Sequence, residues 1–168
     1  MNEFLNTERE ISLSGTWKVL GADEDARRLI ADPEFDDKDW LDIKVPGLWR
    51  SCDQLDATDA VLYRRHFELD QLFEDNRRWL MIDGLCYQGD VWFDGAYLGD
   101  TEGYFVEHNF EITQATKHPG QHLLAIEANC ETPSDRTNKR NITGVLQHSD
   151  SLNHDLNPGG LWRDIRIE

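Results

Sequence analysis

Residues 90–99 read DVWFDGAYLG, and the two in the middle decide how the rest is read. Asp94-Gly95 supplies the pair of positive-φ positions that a type I′ turn demands, so 90–93 is predicted to fold back onto 96–99 as a two-residue hairpin. Period-two alternation then sets the register, with Phe93 opposite Ala96, Trp92 opposite Tyr97 and Val91 opposite Leu98. Val91, Phe93, Ala96 and Leu98 share one face, and Trp92 and Tyr97 share the other. Both faces are apolar, whereas a sheet in a two-layer sandwich needs only one buried face. The Trp92/Tyr97 face is therefore expected to be covered by a loop, by another domain or by a ligand.

The same alternation recurs on either side of the hairpin, in short runs separated by Gly, Asp, Asn and Pro clusters, which is the pattern of an all-β sandwich. Strands are predicted at 12–20, 42–45, 62–69, 78–84, 89–93, 96–98, 109–112, 121–128 and 160–167. One short helix breaks the series at 25–31 (DARRLIA), with Asp23 as its N-cap and Pro33 to stop it. The stretch 132–157 carries no clear element, and no internal repeat is present. With 168 residues the chain is read as one domain, able to bury roughly 70% of the surface its unfolded form exposes. That domain spans 11–168, after an N-terminal extension at 1–10.

The net charge of −16, from 33 acidic against 17 basic side chains, repels nucleic-acid phosphates and anionic lipid headgroups, so neither is an expected partner. Lysine is confined to Lys18, Lys38, Lys44, Lys117 and Lys139 while aspartate is abundant, as in a protein kept soluble by concentrated salt. The three cysteines, Cys52, Cys86 and Cys130, form no CxxC pair and are read as buried free thiols. No cofactor or resident metal is expected, although the acid-rich loops would suit a structural calcium ion. His118 and His122 are spaced i, i+4, but Pro119-Gly120 between them forbids the helix that would align them as metal ligands. The start of the chain has no basic region followed by an apolar run, and the cytoplasm is the expected compartment.

The sequence closes on NPGGLWRDIRIE (157–168), where a proline and two glycines precede a predicted strand with apolar residues at Leu161, Ile165 and Ile167. A strand that runs to the last residue would fray, so polypeptide is expected to follow it.

Seven segments, taken together and in order, carry a family resemblance: LSGTW (13–17), FDDKDW (35–40) followed by VPGLW (45–49), LYRRHFEL (62–69), LMIDGLCYQGDVWFDGAYLGDTEGYF (80–105), NFEIT (109–113) and NPGGLWRDI (157–165). The chain resembles, from about residue 11 to its end, the N-terminal sugar-binding domain of family 2 glycoside hydrolases, which include β-galactosidases, β-glucuronidases and β-mannosidases. The resemblance implies a galactose-binding-like jelly roll. It further implies that an immunoglobulin-like sandwich and a (β/α)8 barrel with the two catalytic glutamates follow in the parent enzyme.

By itself the chain lacks the pieces of a retaining glycosidase. In the family the acid/base glutamate follows an asparagine within the barrel, and the one Asn-Glu here is Asn2-Glu3 at the N-terminus. No nucleophile elbow, phosphate loop or dinucleotide fingerprint is present. The resemblance does imply a substrate contact from an acidic residue just before the Gly-Gly-Leu-Trp-Arg stretch. Asp155 is the matching position, one residue nearer Arg163 than the family's pattern places it, so Asp150 is the competing assignment. An ionised carboxylate suits that task because it accepts strong hydrogen bonds from two neighbouring hydroxyls. Arg163 and Trp162, with Trp92 and Tyr97, are the candidate interface to the following domains.

Trp17, Trp40, Trp49 and Trp162 could be stacking platforms for sugar rings, but a Trp within a strand or strand-entry motif is more often core. Of Arg64 and Arg65, which alternate across their strand, one at most can face a shared interface. The expected role is that of a non-catalytic domain that braces the barrel and completes its sugar pocket, binding β-glycoside sugars weakly when alone. A freestanding lectin-like module is the alternative, and a structural or interaction domain without sugar contact is a third reading.

Overall fold

The computed structural model describes residues 10–69, 77–130 and 159–168; Asp150 and Asp155, with the whole of 132–157, lie outside them. Along the chain come β1 (Ile11–Ser12), β2 (Gly15–Gly21), α1 (Glu24–Leu29), β3 (Leu41–Val45), a 3₁₀ turn (Trp49–Ser51), β4 (Ala60–Leu69), β5 (Trp79–Ile82), β6 (Leu85–Cys86), β7 (Gln88–Phe93), β8 (Ala96–Glu102), β9 (His108–Glu111), β10 (Gly120–Asn129), β11 (Gly160–Leu161) and β12 (Ile165–Ile167). Six strands form one sheet in the order β3-β2-β4-β10-β7-β8, four form a second in the order β1-β12-β5-β9, and β11 pairs with β6 in a short ribbon. This is the all-β jelly-roll sandwich expected from the sequence. Its main core lies between the two large sheets, where Trp17, Val19, Tyr63, Phe93 and Ile126 from one meet Leu80, Ile82, Ile165 and Ile167 from the other.

The central strands of the six-stranded sheet are buried on both faces, which a plain two-layer sandwich does not require. On β4, Val61 and Tyr63 point into the main core while Leu62 and Arg64 point away from it, and all four are fully buried. On β10, Leu124 and Ile126 alternate with Leu123 and Ala125 in the same way. The outer residues belong to a second, smaller core closed by Ala26, Ile30 and Trp40 from α1 and the connection to β3. Trp92 packs against this second core, so the apolar outer face of the hairpin is covered at Trp92 by the chain's own helical segment. Tyr97, directly across from it, remains 54% exposed.

Helix α1 starts as its cap predicts, with the Asp23 side chain accepting from the Ala26 amide at 2.8 Å. The turn of the hairpin is also as predicted, with positive φ at both Asp94 (48°) and Gly95 (83°). Phe93 pairs with Ala96 and Trp92 with Tyr97, but Val91 pairs with Gly99 rather than Leu98. Leu98 is the extra residue of a β-bulge, and the glycine after it takes a φ of +150° with the Phe110 ring of β9 against it. Ala96 is correspondingly exposed and does not join Val91 and Phe93 in the core.

Two predicted strands are each broken in two. The run 12–20 divides into β1 and β2 around Leu13-Ser14, and 160–167 divides into β11 and β12 around Trp162-Arg163-Asp164. An unbroken strand would have placed Arg163 on the buried face with Leu161 and Ile165. The chain instead leaves the sheet there, and Arg163 is exposed.

Candidate functional site

Three glycine-punctuated loops meet at one end of the sandwich. The first follows β3, where the Gly47 amide donates to the Leu161 carbonyl at 2.7 Å and the Trp49 amide to the Gly159 carbonyl at 2.8 Å. The second comprises Gly84 with β6 and Tyr87, joined to the loop after β8 by the Gly103 amide, which donates to the Tyr87 carbonyl at 2.9 Å. The third is Gly159–Asp164 itself, whose Trp162 donates through its amide to the Gly84 carbonyl (3.2 Å) and through its indole to the Tyr104 carbonyl (2.9 Å). The fit at the crossing is close. A Cβ on Gly159 would lie 2.0 Å from the Trp49 ring, and Gly160, at φ +144°, would bring one to 2.4 Å from the Gly47 carbonyl. The Gly-Gly step in the sequence is thus explained by the approach of two backbones and a buried indole.

The loops present a continuous aromatic rim. Tyr87 stacks on Tyr104 with centroids 4.8 Å apart, Phe105 stands edge-on to Trp162 at 5.3 Å, and the Arg163 guanidinium lies over the Trp162 ring at 4.4 Å. Tyr104 is buried, whereas Phe105 (61%) and Val106 (49%) are exposed. Glu102 accepts from the Tyr87 hydroxyl at 2.8 Å and the Gln88 amide at 3.3 Å, and Asp83 is paired with Arg166. Asp83 and Glu168 together push the Arg166 guanidinium above even its ordinary high pKa. What the rim offers is ring edges, an aliphatic side chain and one guanidinium, a surface chemically suited to adhesion.

The residues that bracket 131–158 are both held at this end. The Arg50 guanidinium donates to the Cys130 carbonyl at 3.3 Å, next to the Trp49 that binds Gly159. Of the sequence-predicted site residues, Trp162 and Arg163 sit on the rim, and Asp150 and Asp155 fall in the bracketed stretch outside the described residues. Trp92 and Tyr97 are not part of it. They lie at the far end of β7 from Tyr87, about 16 Å away at ~3.3 Å per strand residue. There the Tyr97 hydroxyl donates to Asp90 at 2.8 Å, and this bond to a carboxylate is the first cause that pushes the phenol up to about 12.

The sequence reading missed Tyr87, Tyr104, Phe105 and Val106 as members of the rim. The available signal was the apolar run 104–106 directly after Gly103, too short for a strand and unexplained by alternation. His122 does not act as a metal ligand with His118: its Nδ1 faces the Asp94 carboxylate at 2.6 Å, and its Nε2 faces the His118 carbonyl at 3.3 Å. Among the described residues no group of three or more His, Cys, Asp or Glu side chains is arranged to hold a metal ion.

The chain has relatives among known proteins in family and in fold. Residues 28–157 match the family described as the glycosyl hydrolase 2 galactose-binding domain-like domain. The chain is similar to the β-galactosidase large subunit of Leuconostoc lactis, at 25% identity over 98% of this chain and 30% of that protein. It is also similar to a β-glucuronidase of Formosa agariphila, at 22% identity over 89% of this chain and 16% of that one. Among solved structures, a Bifidobacterium dentium β-glucuronidase complexed with coumarin-3-O-glucuronide shares the fold with a TM-score of 0.71, at 22% identity over 95% of this chain and 29% of that chain. The chain therefore spans under a third of the length of these relatives.

Proposed function

Because the chain belongs to the galactose-binding-like domain family of glycosyl hydrolase family 2, we propose that it is the non-catalytic sandwich of a β-glycoside hydrolase. In this reading it braces a catalytic barrel and contributes one wall of the sugar pocket. The observation that carries the proposal is the stitched end of the sandwich. There Gly159–Arg163 is locked against Trp49 and Tyr104, and a rim of Phe105, Val106, Trp162 and Arg163 is turned outward. Asp155, or Asp150 in its place, would accept hydrogen bonds from sugar hydroxyls in that pocket. A wall of this kind binds poorly by itself, because a few hydrogen bonds do not offset the cost of immobilising a ligand.

Calorimetric titration with β-galactosides, β-glucuronides and β-mannosides tests this reading, first with the chain alone and then with the remainder of its parent polypeptide added. The expected result is no measurable binding by the chain and binding by the combination, weakened in Asp155→Asn or Asp150→Asn. Sub-millimolar affinity of the chain alone would favour the lectin-like module, for which Tyr97 and Phe105 offer exposed rings. A parent that ends at Glu168 would remove the pocket-wall role altogether.

A further inference from the structure

Four strands end the two large sheets, β3 and β8 in one and β1 and β9 in the other. An edge strand turns alternate amides and carbonyls away from its single neighbour, and proteins commonly guard such edges by shortness, a bulge or an unmatched charge. Strand β1 has two residues and β9 has four, while β8 is bulged at Leu98 and carries Asp100 and Glu102 without a cation. Strand β3 is different. It keeps five residues, Leu41 to Val45, in unbroken register with β2, and among the described residues its backbone makes no hydrogen bond outside that ladder. Its sequence, Leu-Asp-Ile-Lys-Val, is symmetric in chemical type about Ile43. Leu41, Ile43 and Val45 lie toward the main core, whereas Asp42 and Lys44 are exposed on the opposite face. Asp42 touches Lys18 at 3.0 Å with its side chain still 62% exposed. Lys44 donates to the Thr16 hydroxyl at 2.8 Å and has no carboxylate partner among the described residues.

We propose that β3 pairs antiparallel with β3 of a second copy of this chain, about a two-fold axis at Ile43, joining the two six-stranded sheets into one. In that register Ile43 faces its own equivalent, Leu41 faces Val45, and each Asp42 faces the second copy's Lys44. Apolar side chains meet on one face and opposite charges on the other. Charge also selects the direction and the register. A parallel pair would set Asp42 against Asp42 and Lys44 against Lys44, and a slip of one residue would turn the second copy's charges to the apolar side. A lysine on an edge ordinarily keeps other strands away because nothing neutralises it; here the two-fold axis supplies the carboxylate. The net charge of −16 opposes contact between copies in general, and five residues bury less than the ~800 Å² a side of a standard interface, so the pair is weak and reversible. Strand β3 runs toward the loop at Gly47 and Trp49, so antiparallel pairing points the aromatic rims of the two copies in opposite directions. The contact leaves free the end that the pocket-wall role uses, and it stands or falls separately from that role.

Sedimentation equilibrium of the full chain over a concentration series tests the pairing. Wild type is expected to show a reversible monomer–dimer equilibrium, and the amides of 41–45 are expected to exchange hydrogen more slowly as concentration rises. Lys44→Asp sets aspartate against aspartate and Asp42→Lys sets lysine against lysine, so each variant alone is expected to associate at least ~10-fold more weakly. Mixed in equal amounts, the two variants regain complementary strands and are expected to dimerise as wild type does. Both side chains are exposed, and circular dichroism and melting temperature check that each variant is folded. A wild type that stays monomeric at about 1 mM overturns the proposal. So does a dimer that either folded variant retains undiminished, since it uses another face, and so does a mixture of folded variants that stays monomeric. Should Asp42→Lys fail to fold through loss of its contact with Lys18, the exchange measurement decides: slowing at 41–45 that Lys44→Asp abolishes supports the pairing, and its absence in wild type or its persistence in Lys44→Asp overturns it.

Discussion

Arg64 is buried completely, yet it has no shortage of partners. Its Nε donates to Asp37 at 2.7 Å, one terminal nitrogen reaches the carbonyls of Leu29, Ile30 and Asp32, and the other reaches those of Asp32 and Phe35. Leu29 and Ile30 end α1, where carbonyls have no intrahelical donor, so the guanidinium acts as a C-terminal cap delivered from the sheet. The Phe35 and Trp40 rings lie within 5.4 and 5.9 Å of the same group. A buried charge gives net stability only when every donor is matched, and here the planar fork is matched along its whole edge. Arg64→Ala is expected to destabilise the fold by about 3–5 kcal/mol, because it strands the Asp37 carboxylate and several carbonyls. Arg64→Lys should also destabilise, since a single ammonium cannot span acceptors spread from Leu29 to Asp37. Urea unfolding of the two variants checks the order, and an Ala variant within 1 kcal/mol of wild type would show that the cage is not a structural hub.

Elements depend on such contacts in ways that local pattern does not reveal. The β7–β8 turn was readable because Asp-Gly is a local signal, and α1 because Asp23 caps it from three residues away. The bulge at Leu98 was not readable, since its cause is the approach of Phe110 from β9 to Gly99. The second core left a trace in the unalternated Leu123–Ile126 run, the pattern of a strand buried on both sides. Arg64 gave none, since its acceptors, the Asp37 carboxylate and the carbonyls of Leu29, Ile30, Asp32 and Phe35, are about thirty residues distant in sequence. The rim was half readable: Phe105, Trp162 and Arg163 fall in segments that carry the family resemblance, whereas their meeting at one end shows only once the three loops converge. That convergence makes its own prediction. Gly159→Ala drives a methyl group into the buried Trp49 ring, and overpacking of this kind costs about 1–3 kcal/mol. A lower urea midpoint at unchanged slope is expected, and an unchanged midpoint would mean that the loops separate easily.

At the scale of the whole molecule the chain is strongly acidic, and its alkaline limit follows from two weak acids that the interior holds, Tyr63 and Cys86. Tyr63 is fully buried, with its hydroxyl near the Leu161 backbone but making no hydrogen bond. Burial pushes its phenol far above the ordinary tyrosine range. Burial, and then the neighbouring Cys130, push the Cys86 thiol up to about 12. Both groups stay protonated in the folded chain at pH values where the unfolded chain has released its protons. The unfolded state then binds fewer protons than the native one, and stability must fall as pH rises. The loss begins near pH 9 for the thiol and near pH 10 for the phenol, and approaches about 1.4 kcal/mol per pH unit for each group until its folded pKa is reached. General repulsion within a chain of charge −16 adds to this limb, so wild type alone does not isolate the buried groups. Tyr63→Phe does. At pH 7 it removes an unsatisfied buried hydroxyl and is expected to be neutral or slightly stabilising. Between pH 10 and 11 it should lose stability less steeply than wild type, by the phenol's share. Urea midpoints measured at pH 7, 9, 10 and 11 decide the matter, and parallel alkaline limbs for the two proteins would show that the Tyr63 phenol ionises in the folded state.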